Sequence, residues 1–147
     1  MNIPLVRFSY LSDDYYEARE IVCAKLTEAV ANIIDLPKEI VIQFANLGDS
    51  VYGNTSVEFR FRNRVRINNG LTITELPGPL VHELIHVNQI HLGLLRAQTG
   101  VIFWHNRQYR IDPNMSYKQH RELPWEMDVL DRQEQVLKKA LVFAKTK

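Results

Sequence analysis

The stretch Leu80-Val81-His82-Glu83-Leu84-Ile85-His86-Val87-Asn88-Gln89 decides how this chain is read. Residues four apart on an α-helix lie one above the other on the same face, so His82 and His86 can offer two imidazole nitrogens to one small cation. Glu83 stands beside the first of them and is placed to take a proton from a water in the open position of such a metal. Leu80, Leu84, Ile85 and Val87 carry no charge, which lets the helix body be buried while the two histidines face a cleft. The helix starts between Glu75 and Pro79, because prolines are tolerated only in a first turn, and it ends at Gly93, a natural C-terminal cap.

A catalytic zinc site takes three protein ligands and leaves a fourth position to water. The compact pattern HExxHxxGxxH is absent, since Gln89 stands where its glycine would be, Leu92 where its last histidine would be, and His91 is one residue out of register. The third ligand therefore comes from farther along the chain, and Glu126 is the best candidate. A last helix begins at Pro124 and runs to about Ala144, with Val129, Leu130, Val136, Ala140 and Ala144 as its apolar stripe and Leu137 and Leu141 at the border. Glu126 falls on that stripe, where an ionised carboxylate is costly unless it is paired or bound to metal. A plain role for Glu126 at the positive end of the helix dipole is the competing reading. Asp128, Asp131 and Glu134 lie off the stripe as solvated charges, with Asp128 and Arg132 as an i,i+4 pair.

His120 and His105 are the alternative ligands. Either of them, or Tyr109 or Tyr117, could instead donate a hydrogen bond to a tetrahedral oxyanion, and each also has an ordinary reading as loop or hairpin packing. Gln89, one turn beyond His86, is placed either to orient a ligand or to satisfy buried backbone. Trp104 and Trp125 read as core anchors.

Working outward, residues 13–34 read as a helix capped by Ser12, with Asp13 and Asp14 at its positive end and Ala18, Val22, Ala29 and Ile33, flanked by Ile21 and Leu26, facing inward. Glu39 to Phe44 alternate as a half-buried strand, and a turn-rich stretch follows through Gly53 to Ser56. Val57, Phe59, Phe61, Val65 and Ile67 then alternate with Glu58, Arg60, Arg62, Arg64 and Arg66, as one strand or as two joined near Asn63. In an unbroken strand the four arginines form a basic stripe able to grip phosphate or acidic peptide, although the nearly balanced charge of the whole chain favours reading them as one wet face of a sheet. Val101 to Trp104 and Tyr109 to Ile111 read as a hairpin around His105-Asn106-Arg107, and an irregular link through Pro113 leads to the last helix.

The chain has 147 residues, enough for a single domain over residues 1–147 with a core of its own. Its 46% hydrophobic and 24% charged residues are those of an ordinary globular protein, and no stretch reaches the length of a membrane span. A formal net charge of +1 argues against nucleic acid as a partner. The N-terminal residues do not read as a secretory signal, so the expected location is the cytoplasm. Cys23 is the only cysteine and falls within the first helix, which excludes an internal disulfide and a thiolate cluster and leaves it as inert core.

The set formed by His82 to Gln89, Phe103-Trp104 with Tyr109, and Leu123-Pro124-Trp125-Glu126 resembles the zincin metallopeptidases. Within them it is similar to the gluzincin type, in which HExxH is followed by a glutamate on a later helix, and to small metallopeptidase-like proteins encoded by bacteriophages and prophages. The resemblance spans roughly residues 39 to 135 and is strongest at the two short motifs. It implies an α+β, zincin-like fold: a small mixed or antiparallel sheet packed on an N-terminal helix and the HExxH helix, with a C-terminal helix supplying the third ligand. It further implies Zn2+ held by His82, His86 and Glu126, Glu83 as general base, and an extended peptide or protein substrate along the sheet's edge strand. Encoding by a phage is part of the same implication, and association with a virion belongs to the competing expectation. The competing expectation is a zinc-stabilised structural or interaction module without catalysis, with the arginine stripe as its contact surface. Substrate specificity and oligomeric state stay open at this level.

Overall fold

A computed structural model describes residues 3–10, 17–49, 51–55, 63–98 and 100–145. Strand β1 (Leu5–Tyr10) runs parallel to β2 (Glu39–Ala45), with Val6 opposite Ile40 and Phe8 opposite Ile42. Parallel neighbours cannot be joined by a tight hairpin, and helix α1 (Glu17–Ala31) provides the crossover between them. The proposed cap Ser12 and the acidic pair Asp13 and Asp14 lie outside the described residues. The helix ends at Ala31, three residues short of expectation, where Asn32 and Ile33 close turns onto the carbonyls of Ala29 and Val30. Its inner face is Cys23, Leu26, Ala29 and Val30, whereas Ile21 is exposed. Burial pushes the Cys23 thiol up to about 12, which makes it an inert core group.

Two further strands complete the first sheet. β4 (Arg64–Asn68) pairs parallel with β2, and β3 (Gly53–Thr55) pairs antiparallel with β4, giving the order β1-β2-β4-β3. Ile40, Ile42, Phe44, Val65 and Ile67 on alternate positions enter one core with residues of α1 and the two long helices below. Arg64 and Arg66 share the opposite face and are half-buried, while Arg60 and Arg62 lie outside the described residues, so the fourfold stripe is seen only in its second half. The segment expected to be all turn contains β3. Three residues beginning with glycine carry no alternation that a pattern could register.

Helix α2 (Pro77–His91) follows. Pro77 occupies its first turn, where a missing N–H costs nothing. Its end is a Schellman cap: Gly93 adopts φ 76°, its N–H donates to the Ile90 carbonyl, and the Leu94 N–H donates to that of Gln89. Next comes an antiparallel three-stranded sheet of β5 (Leu95–Gln98), β6 (Val101–Trp104) and β7 (Arg107–Tyr109). The expected second strand at Tyr109–Ile111 starts two residues earlier. His105 and Asn106 both take positive φ, 49° and 66°, which makes a two-residue turn and lets pairing resume at Arg107. β5 is too short for its pattern to stand out in the sequence.

The link through Pro113 is not wholly irregular, since Ser116 and Gln119 form a reciprocal capping box that starts the short helix α3 (Tyr117–Arg121). α4 (Pro124–Lys145) then crosses back over α1 and α2. Val129, Val136 and Ala140 face the core as expected, but Leu130 is 39% exposed and does not belong to the stripe. It sits one residue, about 100°, beyond Val129 and so points past the seam. A second apolar cluster of Ile90, Leu95 and Trp125, with Ile102, Trp104, Tyr109 and Leu123 around it, fastens the small sheet to the start of α4. The result is a mixed α+β architecture in which α2 lies between the first sheet and α4. No helix among the described residues is long and apolar enough to cross a membrane.

Candidate metal centre

Because α2 is covered on several sides, its buried residues include Leu80, Val81, Leu84, Ile85 and Val87 as well as Glu83, His86 and Gln89. His82 and His86 emerge one turn apart, with ring centroids separated by 5.1 Å. α4 runs antiparallel beside them, as Gln133 meets Gly78 and His82 while Trp125 meets Gln89. Glu126, in the first turn of α4, thereby reaches both imidazoles. Its Oε1 is 3.2 Å from His82 Nε2, and its Oε2 is 2.8 Å from His86 Nε2. One donor atom from each of the three lies within 4.8 Å of the others, close enough to share one cation at bond lengths of about 2.0–2.2 Å. Among the described residues no fourth His, Cys, Asp or Glu joins this group. His82 is 24% exposed at its side chain and opens the cluster toward solvent, whereas His86 and Glu126 are each 9% exposed.

The protons on the imidazoles follow from their other partners. Gln89 Nε2 lies 2.9 Å from both the Trp125 carbonyl and Asp128 Oδ2, which can only accept. Its Oε1 is therefore the end that meets His86 Nδ1, at 2.8 Å, and that nitrogen must donate. Gln133 Nε2 similarly donates to the Gly78 carbonyl, leaving its Oε1 to accept from His82 Nδ1 at 2.9 Å. Neutral imidazoles protonated at Nδ1 turn bare Nε2 lone pairs toward a carboxylate. Such a contact is repulsive unless a positive species, a proton on each ring or a shared metal cation, lies between them.

The ionisation of the group carries the same message. Burial lowers the pKa of His82, but the hydrogen bond it donates to Glu126 and the nearby charge of Glu83 outweigh it and raise the value to about 9. His86 moves upward for the same balance of reasons, with burial again opposing. Burial pushes Glu126 up, yet the hydrogen bonds and charges of the two histidines bring it well below the usual carboxylate range. Without a metal, protons on the two rings thus fill the space between the imidazoles and the Glu126 carboxylate, the place that a shared cation would take.

Glu83 lies outside the ring of donors and has its own support. The Thr55 hydroxyl, on the edge strand β3, is 2.8 Å from Glu83 Oε1 and 3.1 Å from the Glu83 carbonyl, and can donate to one at a time. Burial raises the Glu83 pKa, and the opposing charges of His86 and His82 do not cancel it, so the carboxylate is a stronger base than in water. Gly53 permits this approach. A Cβ there would sit 3.0 Å from the Arg66 carbonyl oxygen and 3.1 Å from Glu83 Cγ. Gly53→Ala is expected to cost about 1–3 kcal/mol by overpacking the strand against α2. Urea denaturation checks this, and an unchanged midpoint would mean that β3 yields freely.

The other sequence candidates lie elsewhere. His105 is exposed on the β6–β7 turn against Trp104, with ring centroids 4.6 Å apart. His120 and Tyr117 are exposed on α3, where Arg121 lies over the Tyr117 ring, and Tyr109 packs edge-on against Trp125 at 5.6 Å. Neither His105 nor His120 belongs to the donor cluster. Asp128 departs from its reading as a solvated charge, because it is half-buried and accepts from Gln89 as well as pairing with Arg132 at 2.8 Å. Thr55, Gly53 and Gln133 were not singled out from the sequence. Gln133, two turns after Glu126 on the same helix face, is the one that spacing could have found. No known family model matches the chain, and no curated protein or solved structure matches it either.

Proposed function

We propose that this protein is a zinc-dependent hydrolase of peptide or amide bonds, with a zincin-like arrangement of its active-site helix, edge strand and later helix. The observation that carries the reading is the meeting of His82, His86 and Glu126 at three donors and no more among the described residues, with a buried, basic Glu83 alongside. A fourth protein ligand would suit a purely structural site, whereas three with a solvent-facing side suit catalysis. Two imidazoles and one carboxylate are a donor set that zinc accepts readily.

When bound, zinc supplies Lewis acidity that polarises the scissile carbonyl and makes water more acidic. Glu83 takes the proton from the attacking water and returns it to the leaving amine, and Thr55 fixes the orientation of its carboxylate through Oε1. β3 ends the first sheet, and no strand among the described residues pairs with its outer side. An extended peptide backbone is the substrate form that such an edge accommodates, which supports a peptide over a small ester.

Zinc titration against a competing chelator tests the assignment. The expected result is one zinc per chain, weakened on the order of a hundredfold in Glu126→Ala, since four-ligand sites with about 10–16 kcal/mol in all imply some 3 kcal/mol per ligand. Hydrolysis of a quenched-fluorescence peptide library should vanish on chelation and return with zinc. Zinc held at full affinity by Glu126→Ala would remove Glu126 from the site, and turnover indifferent to chelation would remove the mechanism.

A further inference from the structure

Two glutamines, one from each helix, hold the outer nitrogens of the paired histidines. Gln89 belongs to α2 and reaches across to α4, where it donates to the Trp125 carbonyl and to Asp128 while accepting from His86. Gln133 belongs to α4 and reaches back to α2, where it donates to the Gly78 carbonyl while accepting from His82. Gln89 is fully buried, so its amide must be satisfied at both ends, and it is. Asp128 is itself held by Arg132, whose guanidinium also reaches Asn88 Oδ1 at 3.3 Å, and Asn88 Nδ2 donates to the Asp35 carbonyl. The amide end that each glutamine turns toward its histidine is thus dictated by acceptors on the opposite helix.

We propose that Gln89 and Gln133 are positioning residues that lock both imidazoles in the Nδ1–H tautomer and aim both Nε2 lone pairs at one cation, an inference that rests on the metal-binding reading above. Each clamp ties a ligand to the helix that does not carry it, so a shift of α4 against α2 would misplace His82, His86 and Glu126 together. The clamp is also neutral. A carboxylate in either place would draw the Nδ1 proton and add negative charge to the ligand, whereas an amide oxygen selects the tautomer without doing so. The centre therefore counts only the charge of Glu126 against a divalent cation, and the metal keeps more of its positive charge for the groups it meets.

The test uses the full chain in three measurements. Long-range 1H–15N correlation spectra of the zinc-loaded protein should show both histidines protonated at Nδ1 and metal-bound through Nε2. Gln89→Met and Gln133→Met, which keep length and lose the acceptor, should each weaken zinc by about 10–100-fold in chelator competition and alter the visible spectrum of the cobalt-substituted protein. Gln133→Glu restores the acceptor toward His82 but gives up the donor to the Gly78 carbonyl, so it should recover part of the zinc affinity that Gln133→Met loses, which loss of packing alone would not predict. A parent chain that binds zinc through Nδ1, or methionine variants that bind within about twofold of it, overturns the clamp and leaves the metal site standing. A parent chain that takes up no zinc overturns both. The spectra of the parent chain decide the tautomer even where a variant fails to fold.

Discussion

Glu83→Gln is expected to lower peptide hydrolysis by about 10^2 to 10^4-fold while leaving zinc affinity nearly unchanged. The carboxamide has almost the same shape as the carboxylate and can still meet the Thr55 hydroxyl, which lies 2.8 Å from Glu83 Oε1. It has no basic lone pair with which to take a proton from water. Glu83 stands outside the three-donor cluster, so its charge is not needed to hold the cation. Removal of a buried charge also predicts a fold at least as stable as the parent, because desolvation is the largest influence on this carboxyl. Zinc content, thermal unfolding and kcat/KM of the same preparation separate these effects. Full residual turnover with zinc bound would exclude Glu83 as the base, and loss of zinc would make it a ligand instead.

Acid–base chemistry predicts opposite pH profiles for the metal-free and zinc-loaded protein. His82 is raised from 6.5 to about 9 in the fold, so its contribution is complete below 6.5 and is lost as pH climbs through 9. His86 changes in the same sense. Glu83, raised from 4.5, adds to the loss, because its buried carboxyl must ionise as pH rises. Glu126 works in the opposite direction: lowered from 4.5, it stabilises the fold above that value, and its contribution disappears only as pH falls toward its depressed value. The two histidines and Glu126 together favour the metal-free fold most between about 4.5 and 6.5, and Glu83 tilts that optimum toward its acid end. On the way to pH 9 it should lose on the order of 2 kcal/mol, allowing for the partial exposure of His82. Zinc displaces those protons, so the stability it adds must grow with pH over the same range. Denaturant midpoints at pH 5.5, 7 and 9, with chelator and with excess zinc, give both curves. A metal-free profile that rises toward pH 9, or a zinc increment that ignores pH, contradicts the charge arrangement at the centre.

Legibility along the chain follows the length of each signal. α2 and α4 run for four and six turns, respectively, with strong punctuation, Pro77 and Gly93 around one and Pro124 before the other, and both lie where the pattern places them. β2 and β6 were readable from compact runs of apolar residues. β1, β3, β5 and α3 escaped, and for different physical reasons. β1 is an edge strand with Leu5 exposed, so its alternation is blurred, while β3 has a glycine and two polar residues. α3 is a single turn whose identity rests on the Ser116–Gln119 box rather than on any apolar stripe. Leu130 lies off the stripe that hydropathy assigns it, because hydropathy alone does not say where a seam between helices ends.

The sequence by itself determined the spacing of His82 and His86, the neighbour relation of Glu83, and the phase that puts Glu126 on the buried side of its helix. Those are properties of one helix at a time, dictated by 3.6 residues per turn and by the cost of burying charge. Only the tertiary structure decided that Glu126 reaches both histidines, that Thr55 reaches Glu83 from a strand on the other side, and that Gln89 and Gln133 fix the ring tautomers. Each of these depends on contacts between elements far apart in the chain, set by the packing of α2 between the sheet and α4. Hydrogen-bond direction, in particular, depends on which acceptor stands at each end of an amide, and no local pattern of residues carries that information.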